Sequence, residues 1–139
     1  MTPNNIIRVG TGILIVNDQG QVLMGKRQGS HGEGTWALVG GYIEFGETFE
    51  QAAAREAMEE VGVELKDIRI LKPVPYFFED GAKHHITIYL SARIAGGEPR
   101  ICEPDKMTEL RFVDWHNIPQ PTFVPYHDEI TAEVVKACL

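Results

Sequence analysis

Residues Gly41–Val63 read GYIEFGETFEQAAAREAMEEVGV, and the rest of the chain is best understood from this stretch outward. Tyr42–Phe45 is a short extended piece that Gly46 breaks. Thr48 then offers an N-cap, and Gln51 three residues on completes a capping box. From Phe49 the residues are rich in Ala, Glu, Gln and Met, which favour helix. Phe49, Ala53, Ala57 and Val61 recur at i, i+4 spacing and predict a face packed on a sheet. Gly62 sits where a helix ends in glycine.

The helix carries an expensive charge pattern. Glu56 and Glu60 lie four apart, with Glu59 beside them. Like charges at this spacing destabilise a helix by about 0.2–0.5 kcal/mol. They also crowd the C-terminal end, where the helix dipole disfavours negative charge. A sequence shaped only for stability would not choose this. The plain alternative is a solvated acidic face. The chemical one is a site for a hard divalent cation, which favours carboxylate oxygens and keeps waters for substrate phosphates.

A chain of 139 residues predicts one domain, spanning 1–139. Hydrophobic residues make up 43% and charged residues 24%, the balance of a soluble globular protein. No apolar run approaches the ~18 residues of a membrane span. The opening MTPNNIIRVG lacks the basic-then-apolar pattern of a secretory leader. Cys102 and Cys138 are far apart and form no CxxC pair, so free thiols in a reducing cytoplasm are expected. A net charge of -7 argues against a nucleic-acid polymer as partner. It leaves room for a small phosphorylated ligand, because a bound cation inverts the local field.

Around the helix the chain alternates strands and turns. Ile6–Val16 predicts a strand in which Gly10 and Gly12 signal a bulge or a close backbone approach. Val22–Arg27, Trp36–Val39, Ile68–Leu71, His84–Ile94 and Leu110–Trp115 predict further strands. Pro73 and Pro75 are expected to interrupt the fourth of these segments, and Glu79–Asp80–Gly81 to turn a hairpin into the next. The glycine-rich loop Gln28–Thr35 reads as a connector rather than a phosphate cradle. Tyr126–Ala137 predicts a closing helix. Strands, helix, strands, helix in that order imply a mixed sheet with a helix on each side.

The spacing of the central stretch is G-x5-E-x7-R-E-U-x-E-E-x-G-U, with U an apolar residue. Gly41, Glu47, Arg55, Glu56, Ala57, Glu59, Glu60, Gly62 and Val63 fill it without a gap. This resembles the box of the Nudix hydrolases. Val39 stands where that family more often has proline, a departure that touches no ligand. The resemblance implies an α+β fold, an α/β/α sandwich with a mixed β-sheet between helices and a loop–helix–loop catalytic motif. It implies hydrolysis of a pyrophosphate linkage in a nucleoside diphosphate attached to some group, with Mg2+ as cofactor and Mn2+ as a substitute. Glu56, Glu59 and Glu60 match the family's metal-binding and catalytic glutamates, Glu56 being the candidate base or water-orienting group. The Gly40 carbonyl is a further candidate ligand, and Arg55 and Glu47 match a pair that positions the helix. Homodimers are common in such enzymes, and a homodimer is expected on that ground alone.

The flanks narrow the branch. The proline and tyrosine that mark many ADP-ribose and dinucleoside-polyphosphate hydrolases, about 16 residues past the box, are replaced here by Glu79 and Asp80. RQGSHGEGTWALVGGYIEFGET, HHITIYL, EPDK and LRFVDWHNIP are similar to the MutT-like branch, which hydrolyses nucleoside triphosphates to monophosphate and pyrophosphate. The alternatives are an ADP-ribose or nucleotide-sugar pyrophosphatase and a non-catalytic nucleotide-binding sensor. The sensor is disfavoured because every box carboxylate is kept. Candidate substrate contacts are Arg27, Trp36, Gly41, His84, Glu103 and Glu109. Arg27, with Lys26, ends a strand near the box; Glu103 and Glu109 are candidate extra metal ligands; Trp36, Phe45 and Leu110 are candidate walls for the base. His84 and His85 are adjacent on a strand, so only one can face the site.

Overall fold

The computed structural model describes residues 5–29, 31–79 and 81–126. It contains six strands, β1 (Ile7–Ile15), β2 (Val22–Arg27), β3 (Trp36–Leu38), β4 (Glu64–Phe78), β5 (Lys83–Gly96) and β6 (Met107–Val113), and one α-helix, α1 (Phe49–Val61). The strands form two three-stranded sheets, ordered β1-β5-β4 and β3-β2-β6. β1 runs parallel to β5, and the other pairings are antiparallel. Isolated bridges Ile13–Val39 and Val16–Val22 tie the two sheets together. This is the α+β arrangement expected, with mixed strand directions. The predicted closing helix and Cys138 lie outside the described residues.

The apolar runs in the strands are continuous because both faces are buried. Ile13, Ile15, Leu23, Ile88 and Leu90 join Ala53, Ala57 and Val61 of α1 in one core. Leu14, Val22, Met24 and Tyr89 point the other way into a second core with Trp115, Val124 and Tyr126. Of the face predicted for α1, Ala53, Ala57 and Val61 are fully buried, whereas Phe49 at its first turn is exposed. Ala52 takes its place inside. The helix is terminated as predicted: Thr48 and Gln51 make both capping-box bonds, and Gly62 adopts φ 70°.

Two sequence expectations change. Pro73 and Pro75 do not interrupt a strand; β4 runs through both for 15 residues. β4 is an edge strand, and prolines two apart turn their missing N–H groups to the same open side. At Gly10 and Gly12 the β1–β5 register is unbroken, so the cause is close approach and not a bulge. A Cβ on Gly12 would meet the Tyr89 ring at 2.8 Å, and one on Gly10 the Gly41 carbonyl at 3.1 Å. Among the described residues no helix is long and apolar enough to cross a membrane.

Candidate active site

Everything that positions the acidic end of α1 converges on Arg55. Its Nε donates to Glu47 Oε2 at 2.7 Å and its Nη2 to Glu47 Oε1 at 2.9 Å. Nη1 donates to Glu56 Oε1 at 2.9 Å and to Glu59 Oε2 at 3.1 Å. Nη2 also donates to the Tyr42 carbonyl at 3.0 Å, which fastens the incoming loop to the helix. Two parallel bonds to one carboxylate give geometric specificity that a lysine cannot reproduce. The Arg55 bonds, then the Glu44 N–H, hold the Glu47 carboxyl below its ordinary pKa.

The other two box carboxylates are less comfortable. Burial raises the pKa of Glu56, and the Arg55 hydrogen bond and charge offset part of that. Glu60 is pushed up to about 8, first by burial and then by the negative charge of Glu56, with the Gly40 N–H pulling the other way. That N–H donates to Glu60 Oε2 at 2.8 Å. Gly41 is glycine for a spatial reason. A Cβ there would sit 2.6 Å from the Glu56 carboxyl.

These groups open onto one cleft of about 630 Å³ lined by Gly40, Gly41, Arg55, Glu56, Glu59 and Glu60 from the box. Arg27 and Glu103, both singled out in the sequence, line it as well. Arg27 arrives where the β2–β6 register slips between Lys26 and Arg27, a bulge of the kind that re-aims a side chain. Among the described residues it has no carboxylate partner. Glu103 adds to the negative potential felt by Glu56 and Glu60, and Lys106 Nζ sits 3.4 Å from its Oε2.

Three expected contacts lie elsewhere. Glu109 pairs in register with Lys26 across β2–β6, with Lys26 Nζ at 3.4 Å from its carboxylate, so it is spent on a surface ion pair. Trp36 is 4% exposed in the second core, with the Arg111 guanidinium 4.6 Å from its ring centre. His84 stacks on Phe77 at 4.5 Å on the outer face, and its neighbour His85 lines the cleft instead. Phe45 is fully exposed, and Leu110 packs into the core. His31, Tyr42, Phe78 and Phe123 line the cleft and were not singled out. His31 and Gln28 come from the loop read as a mere connector. The alternation on β4 was the available signal: Tyr76 and Phe78 share a face and Phe77 does not.

Whether a divalent cation fits was tested on the donor set. Among the described residues no three acidic, His or Cys side chains are already gathered as a cage. Arg55 holds one oxygen each of Glu56 and Glu59, and Glu60 is tied to the Gly40 N–H. The donors are nevertheless hard carboxylate oxygens, and Glu56 and Glu60 carry a burial and repulsion penalty that a cation removes. The residues fit the ion.

The chain matches the NUDIX domain over residues 6–134. Its fold resembles a MutT NUDIX hydrolase from Burkholderia pseudomallei, at TM-score 0.81 and 31% identity over 96% of this chain and 98% of that one. It also resembles a MutT protein from Methanosarcina mazei Go1, at TM-score 0.77 and 21% identity over 97% of both, which shows the fold alone. Among curated proteins it is 34% identical over 115 residues to the NAD-capped RNA hydrolase NudC of Pasteurella multocida (strain Pm70), covering 81% of this chain and 40% of that protein. It is 52% identical over 64 residues to the RNA pyrophosphohydrolase of Serratia proteamaculans (strain 568), covering 46% of this chain and 35% of that one. The chain thus spans well under half the length of these two relatives. With an unbroken box, a matching fold and a match along nearly its whole length, the chain belongs to the Nudix family, among its MutT-like hydrolases.

Proposed function

We propose that this chain hydrolyses a pyrophosphate bond in a nucleoside triphosphate, giving a nucleoside monophosphate and pyrophosphate, with Mg2+ as cofactor. The observation that carries the reading is the joining, in one cleft, of the box carboxylates, the unpaired cation Arg27 and a set of aromatic rings. Nudix enzymes in general use divalent cations, and Glu56, Glu59, Glu60 and Glu103 are the residues that would hold one here. A divalent cation supplies charge neutralisation on phosphate oxygens and a lower pKa for water.

The chain's own residues have separable tasks. Arg55 and Glu47 hold α1 against the loop at Tyr42, so that Glu56, Glu59 and Glu60 keep a fixed spacing. Arg27 meets phosphate charge from the opposite side of the cleft. Glu56, beside the Gly41 backbone, is the candidate to orient the attacking water and take its proton. Water adds its oxygen to one phosphorus, the bridging P–O bond breaks, and the bond pair leaves on pyrophosphate.

A second reading is the pyrophosphate at the 5′ end of an RNA, favoured by the names of the two curated relatives. The net charge of -7 weighs against binding a long polymer. The test is phosphate release from a panel of nucleoside triphosphates, ADP-ribose, NAD and a short 5′-triphosphorylated RNA, with pyrophosphatase added and Mg2+ varied. Turnover of triphosphates supports the reading. Good turnover of ADP-ribose with none of any triphosphate overturns it.

A further inference from the structure

The cleft has a second group of side chains that the pyrophosphate chemistry does not use. Phe78 and Phe123 stack with ring centres 5.5 Å apart and planes 28° from parallel. His31 stands edge-on to both, at 5.3 Å and 82° from Phe78 and at 5.2 Å and 89° from Phe123. His85 lies 5.2 Å from Phe78. Arg27 links this group to the carboxylates. Its guanidinium lies 4.3 Å from the Phe123 ring centre, its Nε donates to the His31 carbonyl at 3.0 Å, and its charge acts on Glu60.

The two cleft histidines differ in one respect. His85 Nε2 lies 3.3 Å from the Tyr42 hydroxyl. His31 Nε2 is buried and has no hydrogen-bond partner among the described residues. Buried polar atoms almost always have a partner, and an orphan in a cleft is one that a ligand completes. Burial, aided by Lys83 and Arg27, lowers the His31 pKa, so its ring is neutral and offers one donor and one acceptor nitrogen. If this position served only to pack against Phe78 and Phe123, an apolar side chain would do so without an orphaned nitrogen.

We propose that His31 is a specificity-determining residue that selects nucleotides over sugar phosphates. Its Nε2 hydrogen-bonds the edge of the substrate's nucleobase while the base lies against the rings of Phe78, Phe123 and His85. A flat nitrogen heterocycle satisfies both features at once, since it has a hydrogen-bonding edge and an aromatic face. A sugar or a bare phosphate could reach the nitrogen but would leave the rings without a stacking partner. The proposal rests on the reading of the cleft as a nucleotide site and adds which residue recognises the base.

The test is binding without turnover. In histidine-labelled protein, adenosine or guanosine 5′-monophosphate is expected to shift the His31 Nε2 resonance, and ribose 5-phosphate is not. His31→Leu is expected to weaken monophosphate binding about fivefold, the loss of one hydrogen bond, and to change ribose 5-phosphate binding less than about twofold. Equal shifts with ribose 5-phosphate, no shift with either monophosphate, or unchanged monophosphate affinity in His31→Leu would overturn the proposal. If the variant does not fold, the resonance shifts in the unaltered chain decide. A chain that binds monophosphates through His31 and hydrolyses no triphosphate refutes the proposed reaction and leaves this inference standing. Hydrolysis with no response at His31 does the reverse.

Discussion

Arg55 grips Glu47 with two parallel hydrogen bonds, Nε to Oε2 at 2.7 Å and Nη2 to Oε1 at 2.9 Å, while its remaining nitrogen reaches Glu56 and Glu59. One guanidinium therefore sets the position of three carboxylates and, through the Tyr42 carbonyl, of the loop that precedes them. A lysine keeps the charge but can neither fork nor span these partners. Arg55→Lys is therefore expected to fold and to lose roughly tenfold or more in kcat, since a misplacement of about 1 Å can cost ~100-fold. Glu47→Gln, which keeps one acceptor, is expected to fall between Arg55→Lys and the unaltered chain. Steady-state kinetics beside circular dichroism measures both. Full activity in Arg55→Lys would remove the positioning role.

The helix start offers a control for stability without chemistry. Thr48 accepts from the Gln51 N–H at 3.1 Å, and the Gln51 side chain accepts from the Thr48 N–H at 2.9 Å. Thr48→Ala removes one half of this exchange and is expected to destabilise the fold by about 1 kcal/mol. In a domain of this size that lowers Tm by about 3–5 °C. Thermal unfolding measures it, and the KM for any substrate should stay unchanged.

What the sequence made legible was local. The α1 boundaries, its cap and its terminating glycine all depend on neighbours within a few positions. The acidic pattern of Glu56, Glu59 and Glu60 depends on nothing beyond helical spacing. What escaped was set by pairing between distant segments. Glu109 looked free until the β2–β6 register placed it opposite Lys26. Choosing between His84 and His85 required knowing which face of β5 lines the cleft. Pro73 and Pro75 looked like breaks because the edge position of β4 is a property of the sheet. His31, Phe78 and Phe123 come from three separate segments, and no local pattern announces their meeting.

The raised pKa of Glu60 makes stability depend on pH. A carboxyl raised in the folded state contributes stability that is fully present below its ordinary pKa, about 4.5. That contribution is lost as pH rises through the folded value of about 8. With a chelator present, Tm is therefore expected to fall between about pH 5 and pH 9, by roughly 3 °C or more, the shift that about 1 kcal/mol produces. Glu60→Gln cannot ionise and should flatten that slope. Mg2+ favours the ionised carboxylates and should restore Tm most at the alkaline end. A Tm that rises through this range in the chelated protein, or an identical slope in Glu60→Gln, would remove Glu60 as the source.

Adjacent glycines at the head of the box should fail in different ways. A Cβ added at Gly40 runs into the backbone carbonyl of Thr11, which sits in the unbroken β1 and cannot step aside. A Cβ added at Gly41 meets the Glu56 carboxyl at 2.6 Å, the free end of a flexible side chain. Gly40→Ala must therefore strain or separate the strand–loop contact and is expected to lower Tm by about 5 °C or more, the range for roughly 1–3 kcal/mol of overpacking. Gly41→Ala can be accommodated by turning Glu56 away, at little cost to Tm. It also moves that carboxylate from its place beside Glu60, so kcat is expected to drop by about tenfold or more, as misplaced catalytic groups do. Thermal unfolding and steady-state kinetics on the two variants together test the point. An active Gly41→Ala would show that the position of Glu56 beside the loop backbone is not needed for the reaction.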